Sequence, residues 1–316
     1  MKELAFALAA AVLLAVAPLA ASDYVIGAGV TALTFTVAAA SLNLVYGYAG
    51  LLSFAQLAFW GIGGYCTALI VMDAGGSFWT GLAAAGALCT VLALVVGWAA
   101  LRLQRQSFVI VTLSFSLLAF MVSRDWVDLT RGPMGLPGLP APELFGQPLA
   151  GIRSIYWLAL AFMLFALGVL YALGSSRIGR TLRAIRQNEP LVLAHGIPPS
   201  PYKLLAFAVA AALTGMAGGI QVFYLKIVDP TMFDMYYAQA WLIMVIIGGA
   251  GSFWGVVVAG MVMSVLPEAL RFSNELRMVI YGAILVVAVL VLPQGVAGWL
   301  RDRRIARLRQ SLTEDA

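Results

Sequence analysis

Between Asp23 and Asp73 the chain runs without a single Asp, Glu, Lys or Arg. A bilayer core about 30 Å thick takes roughly 20 helical residues per crossing. Tyr24–Met72 is therefore too long for one crossing and right for two. The break is expected near Gly47-Tyr48-Ala49-Gly50, where glycine loosens the backbone. Ala74–Leu101, Ser107–Ser123, Ser154–Ser176, Leu204–Leu225 and Met278–Leu300 each fit one further crossing. Composition agrees, with 62% of residues hydrophobic and 10% charged, against about 25% charged in an ordinary soluble domain. Strict two-residue alternation is absent, and no sheet signal is present. The expected class is all-α: a polytopic transmembrane helical bundle of about 8–10 membrane segments, not a barrel.

Two segments need separate arguments. Met1–Ala21 has one Lys, an apolar run and then Pro18-Leu19-Ala20-Ala21-Ser22, a pattern shared with secretory signals. Because it is nearly long enough to span and another apolar block follows, a retained first helix is expected. Met235–Pro267 would be about 50 Å long as one helix, too long for one pass and short for two. Charge bias decides between them. Arg102 and Arg105, then Arg177, Arg180, Arg183 and Arg186, then Arg301, Arg303, Arg304, Arg307 and Arg309 flank apolar blocks and are expected on the cytoplasmic side. With the N-terminus inside, six passes return the chain inside at Arg177, and the next leaves near Lys226, with Asp229 and Asp234 outside. A single crossing by Met235–Pro267 would put Arg271 inside and the arginine-rich tail outside. A segment that dips in, turns at Gly248-Gly249-Ala250-Gly251 and returns keeps the tail inside. Two cramped full passes give the same parity. The expected organisation is a transmembrane domain over 1–300, with a cytoplasmic loop at 174–202 and a periplasmic loop at 124–154. A cytoplasmic arginine-rich tail follows at 301–316, and both termini are cytoplasmic.

The two breaks share the pattern G-x-A-G. Paired glycine interruptions in the halves of a transporter mark a substrate path, although small residues at helix contacts produce the same pattern. No span interior contains an ionisable group, which argues against proton coupling and intramembrane acid–base chemistry. Sodium coupling through carbonyls and hydroxyls stays open. No catalytic residue and no metal site are expected, since His195 stands alone. Cys66 and Cys89 read as small buried hydrophobes. The net charge of +5 belongs to topology, and nucleic acid is not an expected partner.

Gly174, Gly179, Arg180 and Thr181 nearly spell a phosphate-binding loop, with Arg in place of Lys. Such a loop follows a buried strand, whereas a membrane span precedes this one, so the match reads as chance. Arg177, Arg180, Arg183 and Arg186 instead recur every third residue and sweep roughly half the circumference of a helix, with Ile178, Leu182 and Ile185 gathered on the opposite side. That pattern predicts a helix lying on a membrane surface, apolar side inward and arginines toward phosphates or water. Next, Asn188 or Glu189 can cap a short helix with Pro190 in its first turn. Gly196 suits a left-handed stop, and Pro198, Pro199 and Pro201 block continuation. A short cytoplasmic helix of this kind suits insertion into another protein, though an ordinary connecting loop is the alternative.

The run Ser41-Leu42-Asn43-Leu44-Val45-Tyr46-Gly47-Tyr48-Ala49-Gly50-Leu51-Leu52-Ser53, followed by Ala58-Phe59-Trp60-Gly61-Ile62-Gly63-Gly64-Tyr65, resembles the permease subunits of branched-chain amino acid ABC importers, the M-type above all. Gly135-Leu136-Pro137-Gly138-Leu139-Pro140 and Gly248-Gly249-Ala250-Gly251-Ser252-Phe253-Trp254-Gly255 are similar to two further motifs of that family. Gly179-Arg180, Arg183 through Glu189, Ala194 and Gly196-Ile197 look like its cytoplasmic coupling segment. The resemblance implies a pore made with a second, unlike permease in the bacterial inner membrane, two cytoplasmic ATPases and a periplasmic binding protein. It implies no cofactor on this chain, since ATP would be bound by the partners. Arg183, Asn188, Glu189, Ala194 and Gly196 carry over as ATPase-coupling residues. Pro190-Leu191-Val192-Leu193 departs from the family's small and polar residues and leaves open which face meets the ATPase. Asn43, Gln56 and Tyr65 are candidates for the substrate path, with hydrogen bonding inside the bundle as the alternative for each. Urea, short amides or aromatic acids are alternative cargo, and a sodium-coupled carrier or a facilitative channel are alternative classes.

Overall fold

The computed structural model describes residues 21–269 apart from 104, 145, 146 and 150, with a few isolated positions beyond. Most of Met1–Ala21, Arg271, the span Met278–Leu300 and the tail 301–316 lie outside the described residues. Helix α1 (Asp23–Leu42) runs on through a π-helical segment, Asn43–Tyr48, and the chain then breaks before α2 (Ala55–Met72). Next come α3 (Phe78–Ala100) and α4 (Arg105–Asp125). The loop after α4 carries β1 (Leu136–Pro137), β2 (Glu143–Leu144) and β3 (Gln147–Pro148) before α5 (Ile152–Ser175). Two shorter helices, α6 (Arg177–Gln187) and α7 (Glu189–Ala194), precede α8 (Pro199–Leu225). After β4 (Ile227–Val228) the chain forms α9 (Met235–Gly248) and α10 (Phe253–Ala269).

Six helices in the described residues are long and apolar enough to cross a membrane, and α9 and α10 are shorter apolar helices. The sheet-free expectation needs one small correction. β1 pairs antiparallel with β4, Leu136 opposite Val228, and β2 pairs with β3. Two-residue ladders are too short to leave a period in the sequence. The β1–β4 pair ties the loop after α4 to the end of α8. Arg131 bonds Asp73 at 3.1 Å on the same end of the bundle.

Burial ranks the helices. The most apolar windows of α1 and α8 are 78% buried, those of α3 and α4 only 33% and 28%. The first pair forms the centre. The second turns Leu88, Val91, Val95, Ile110, Leu117 and Leu118 outward, which is costless only against hydrocarbon or another apolar surface. Lipid gives apolar helices no reason to seek each other, so tight packing must hold the centre. It does so at small residues. A Cβ on Gly63 would sit 2.1 Å from the Gly215 carbonyl oxygen, so α2 and α8 cross backbone to backbone. Cys89 packs beside this crossing, its Sγ 3.5 Å from the Phe59 oxygen. Thr34 donates to the Gln221 side-chain oxygen at 2.8 Å, joining α1 to α8.

Prolines begin α8 and do not merely end α7. Pro199 and Pro201 occupy its first turn, where a missing N–H costs nothing. The helix therefore starts five residues before the charge-free run Leu204–Leu225 suggests. At about 1.5 Å per residue, α9 is roughly 21 Å long and α10 roughly 25 Å. α9 does not reach across a roughly 30 Å core by itself, and α10 is described only as far as Ala269. The turn between them falls at Gly249–Ser252, level with the break that follows α1.

Candidate coupling site where two helix breaks meet a surface helix

The sharp turn from α5 into α6 has a local cause. The Ser176 hydroxyl accepts from the Ile178 and Gly179 amides at 3.1 and 3.4 Å, capping α6. Gly179 lies against Gly174, where a Cβ would come 2.2 Å from the Gly174 oxygen. The glycines of the near phosphate-loop pattern thus fold one helix back on another. Leu182 and Ile185 of α6 are fully buried.

The expectation that all four arginines face outward is corrected. Arg177 and Arg180 are exposed, but Arg183 and Arg186 are half-buried. Arg177 and Arg186 are nine residues apart, about 900° of helical rotation, which puts them on opposite sides. Arg186 shares its face with Leu182, four residues earlier, and so turns into the protein. The Arg183 guanidinium lies 5.3 Å from the centre of the Tyr48 ring, a cation–π distance.

Arg186 ends in the two breaks. Its Nη1 donates to the Gly47 carbonyl and, at 3.1 Å, to the Ala250 carbonyl. Its stem passes over Gly50, where a Cβ would lie 2.9 Å from the Arg186 Cγ. Asn43 joins the breaks a second time. Its Oδ1 accepts from the Gly251 amide at 2.8 Å, and its Nδ2 donates to the Ser252 carbonyl at 3.3 Å. The backbones are close enough that a Cβ on Gly47 would be 2.4 Å from the Gly251 nitrogen. Gly50, Gly249 and Gly251 have φ of +74°, +95° and +91°, values that side chains strain to adopt. Gly248 closes the turn against the Gly255 carbonyl. Helix ends leave unsatisfied carbonyls and amides, and one Arg and one Asn satisfy four of them here.

Beyond α6 the chain turns at Asn188, whose Oδ1 accepts from the Leu191 amide at 3.1 Å. Glu189 receives a 2.5 Å ion pair from Lys203 of α8. Val192 faces inward, whereas Leu191 and Leu193 are 54% and 59% exposed. Ala194 is exposed at the end of α7, and Gly196 follows with φ of +78°.

The path candidates separate. The Asn43 side chain is committed to the second break. Gln56 is 1% exposed, and its amide oxygen and nitrogen have no hydrogen-bond partner among the described residues. It lines a cavity of about 10 Å³, room for one water, together with Leu42, Ser53, Phe54, Trp241 and Leu242. Tyr65 is not part of this cavity. It lies nearer the other end of α2 and stacks on Phe233 at 6.1 Å. Nine residues of helix put it on the opposite face from Gln56. Three contributors escaped the sequence reading: Lys203, Trp241 and the inward role of Arg186. Of these, only Arg186 left a usable signal, its phase relative to Leu182.

Residues 24–289 match the family described as the permease component of branched-chain amino acid transport systems. The chain is 29% identical to the high-affinity branched-chain amino acid transport permease LivM of Salmonella typhimurium, over 87% of this chain and 70% of that one. It is 28% identical to LivM of Escherichia coli, over 96% and 76%. It is 26% identical to the LivH permease of Escherichia coli, over 84% and 91%. No solved structure matches it. With an apolar multi-pass bundle and a family match over most of its length, the chain belongs to the permease components of branched-chain amino acid transport systems, and within them to the LivM type.

Proposed function

We propose that this chain is one of two unlike permeases of an ATP-driven importer for branched-chain amino acids in the bacterial inner membrane. A LivH-like chain is its pore partner, two cytoplasmic ATPases bind and hydrolyse ATP, and a periplasmic protein delivers the cargo. The end bearing Arg102 and Arg177–Arg186 faces the cytoplasm, in keeping with positive-inside bias.

The observation that carries this reading is the shape of α7. It is a six-residue helix capped at both ends and pinned by a buried lysine, yet it turns Leu191 and Leu193 to solvent. A helix this short does not persist alone. Held rigidly, it forms an apolar knob for a groove on an ATPase, with Leu191 and Leu193 as the contact face. The cargo path runs by Gln56, where the one-water cavity must widen to admit an amino acid; the amide can then exchange hydrogen bonds with a polar headgroup while Trp241 and the leucines meet its apolar part.

The test is reconstitution in liposomes with both permeases, both ATPases and the binding protein, scored by uptake of labelled leucine. Uptake should require ATP and every subunit. This chain alone should show no uptake under an imposed sodium or proton gradient. Gradient-driven uptake by the lone chain would identify a secondary carrier, and passive flux indifferent to ATP a channel.

A further inference from the structure

We propose that Arg186 is a positioning residue that makes the cytoplasmic helix pair and both membrane helix breaks move as one body. The proposal rests on the importer reading and adds to it the route by which motion at the knob reaches the cargo cavity.

The route is short at every step. α7 follows α6 after the single residue Asn188, whose side chain caps α7 and whose amide donates to the Ala184 carbonyl of α6. Arg186 sits three residues before Glu189, on the buried face of α6. Displacement of α7 therefore reaches the guanidinium through about one turn of helix. From there one nitrogen bonds a carbonyl in each break, Gly47 on one side and Ala250 on the other. The always-charged guanidinium suits this role, because its Nη1 carries two N–H donors, one for each carbonyl, at the end of a long stem.

Both acceptors are main-chain carbonyls at points where helical bonding has stopped. A bond to a side chain can be absorbed by a rotamer change, whereas a bond to the main chain displaces the backbone itself. Asn43 ties the breaks together a second time, so neither can shift alone. The cargo cavity borders the same break. Leu42 precedes Asn43 directly, and Leu52, Ser53, Phe54 and Gln56 follow Gly50 closely. Reshaping Asn43–Gly50 must reshape the walls around the Gln56 amide.

Arg183 does not share this function. It meets the side chain of Tyr48, over the ring and through a hydrogen bond, and so holds a side chain that a rotamer change can move. The two arginines divide the work, Arg183 seating α6 and Arg186 gripping the backbone.

The experiment uses the complete importer in liposomes, with Arg186→Gln and Arg186→Lys compared to wild type. Leucine uptake and ATP hydrolysis are both normalised to assembled complex. Gln keeps a neutral donor but falls short of the two carbonyls, whereas Lys keeps the charge and most of the reach. Arg186→Gln should assemble and hydrolyse ATP near the wild-type rate, while leucine moved per ATP falls about tenfold, within the range of site-to-site coupling. Arg186→Lys should recover most of that ratio. An unchanged ratio in Arg186→Gln, or uptake and hydrolysis falling in proportion, would overturn the proposal. So would failure of both variants to assemble, which would make Arg186 a folding residue. A wild-type complex whose uptake ignores ATP would instead strike the importer reading itself, before either variant is compared.

Discussion

Lys203 reaches Glu189 across 2.5 Å from a side chain that is only 7% exposed, while the Glu189 side chain is 34% exposed. Among the described residues Glu189 is the ion-pair partner of this buried lysine, so the pair fixes where α7 stands relative to α8.

Breaking that pair from the glutamate side should therefore leave a buried ammonium. Removing one partner of a buried pair costs about 3–5 kcal/mol. With Glu189 partly in water, about 2 kcal/mol is expected for Glu189→Ala. Thermal unfolding in detergent measures it. Glu189→Gln combined with Lys203→Met should recover most of the loss, since no charge is then left unpaired.

The exposed leucines of α7 give the opposite pattern. Leu191→Asp and Leu193→Asp touch no core contact and should leave the unfolding midpoint within about 0.5 kcal/mol of wild type. Co-purification with the ATPases should fall at least about tenfold, as for loss of a buried apolar anchor. Normal ATPase capture by the double variant would remove α7 as the docking knob.

Gln56 separates stability from transport. No described residue pairs its amide, and a buried amide without a partner costs about 1–3 kcal/mol, so Gln56→Leu should leave the protein as stable as wild type or more so. If the amide meets cargo, the same variant should raise the KM for leucine uptake several-fold with assembly intact. Unchanged KM would take Gln56 out of the path.

Gly63→Val tests the α2–α8 crossing. The added Cβ would fall 2.1 Å from the Gly215 oxygen, and backbone does not yield as a side-chain tip does. Overpacking costs about 1–3 kcal/mol, occasionally more, and here the upper end or beyond is expected. The readout is loss of monodisperse protein on size exclusion. A well-folded Gly63→Val would mean that the helices can separate without penalty.

Much of the architecture was legible because lipid solvent makes simple demands. Charge-free runs located the crossings at Tyr24–Met72 and Ala74–Leu101, and glycine clusters located both interruptions. The caps were readable for the same reason: Asn188 and Gly196 are side-chain and backbone choices with local causes. What stayed hidden was long-range. Nothing near Asn43 in the chain points to Gly251 as its partner, and nothing near Glu189 points to Lys203. Gln56 beside the first break and Tyr65 nearby both offered polar groups, and nine residues of helix separate them in depth as well as in phase. Arg186 departs from expectation because a three-residue repeat sweeps half the circumference of the helix, and the far end of that sweep reaches the side of Leu182 instead of water.

The hairpin α9–α10 has a consequence for biogenesis. Its tip exposes a carbonyl at Ala250 and an amide at Gly251 that no lipid can satisfy, and the groups that satisfy them, Arg186 and Asn43, come earlier in the chain. As the ribosome delivers the hairpin, its receptors are already translated. This later-made hairpin can settle into a socket prepared by earlier helices, rather than wait unpaired in the bilayer.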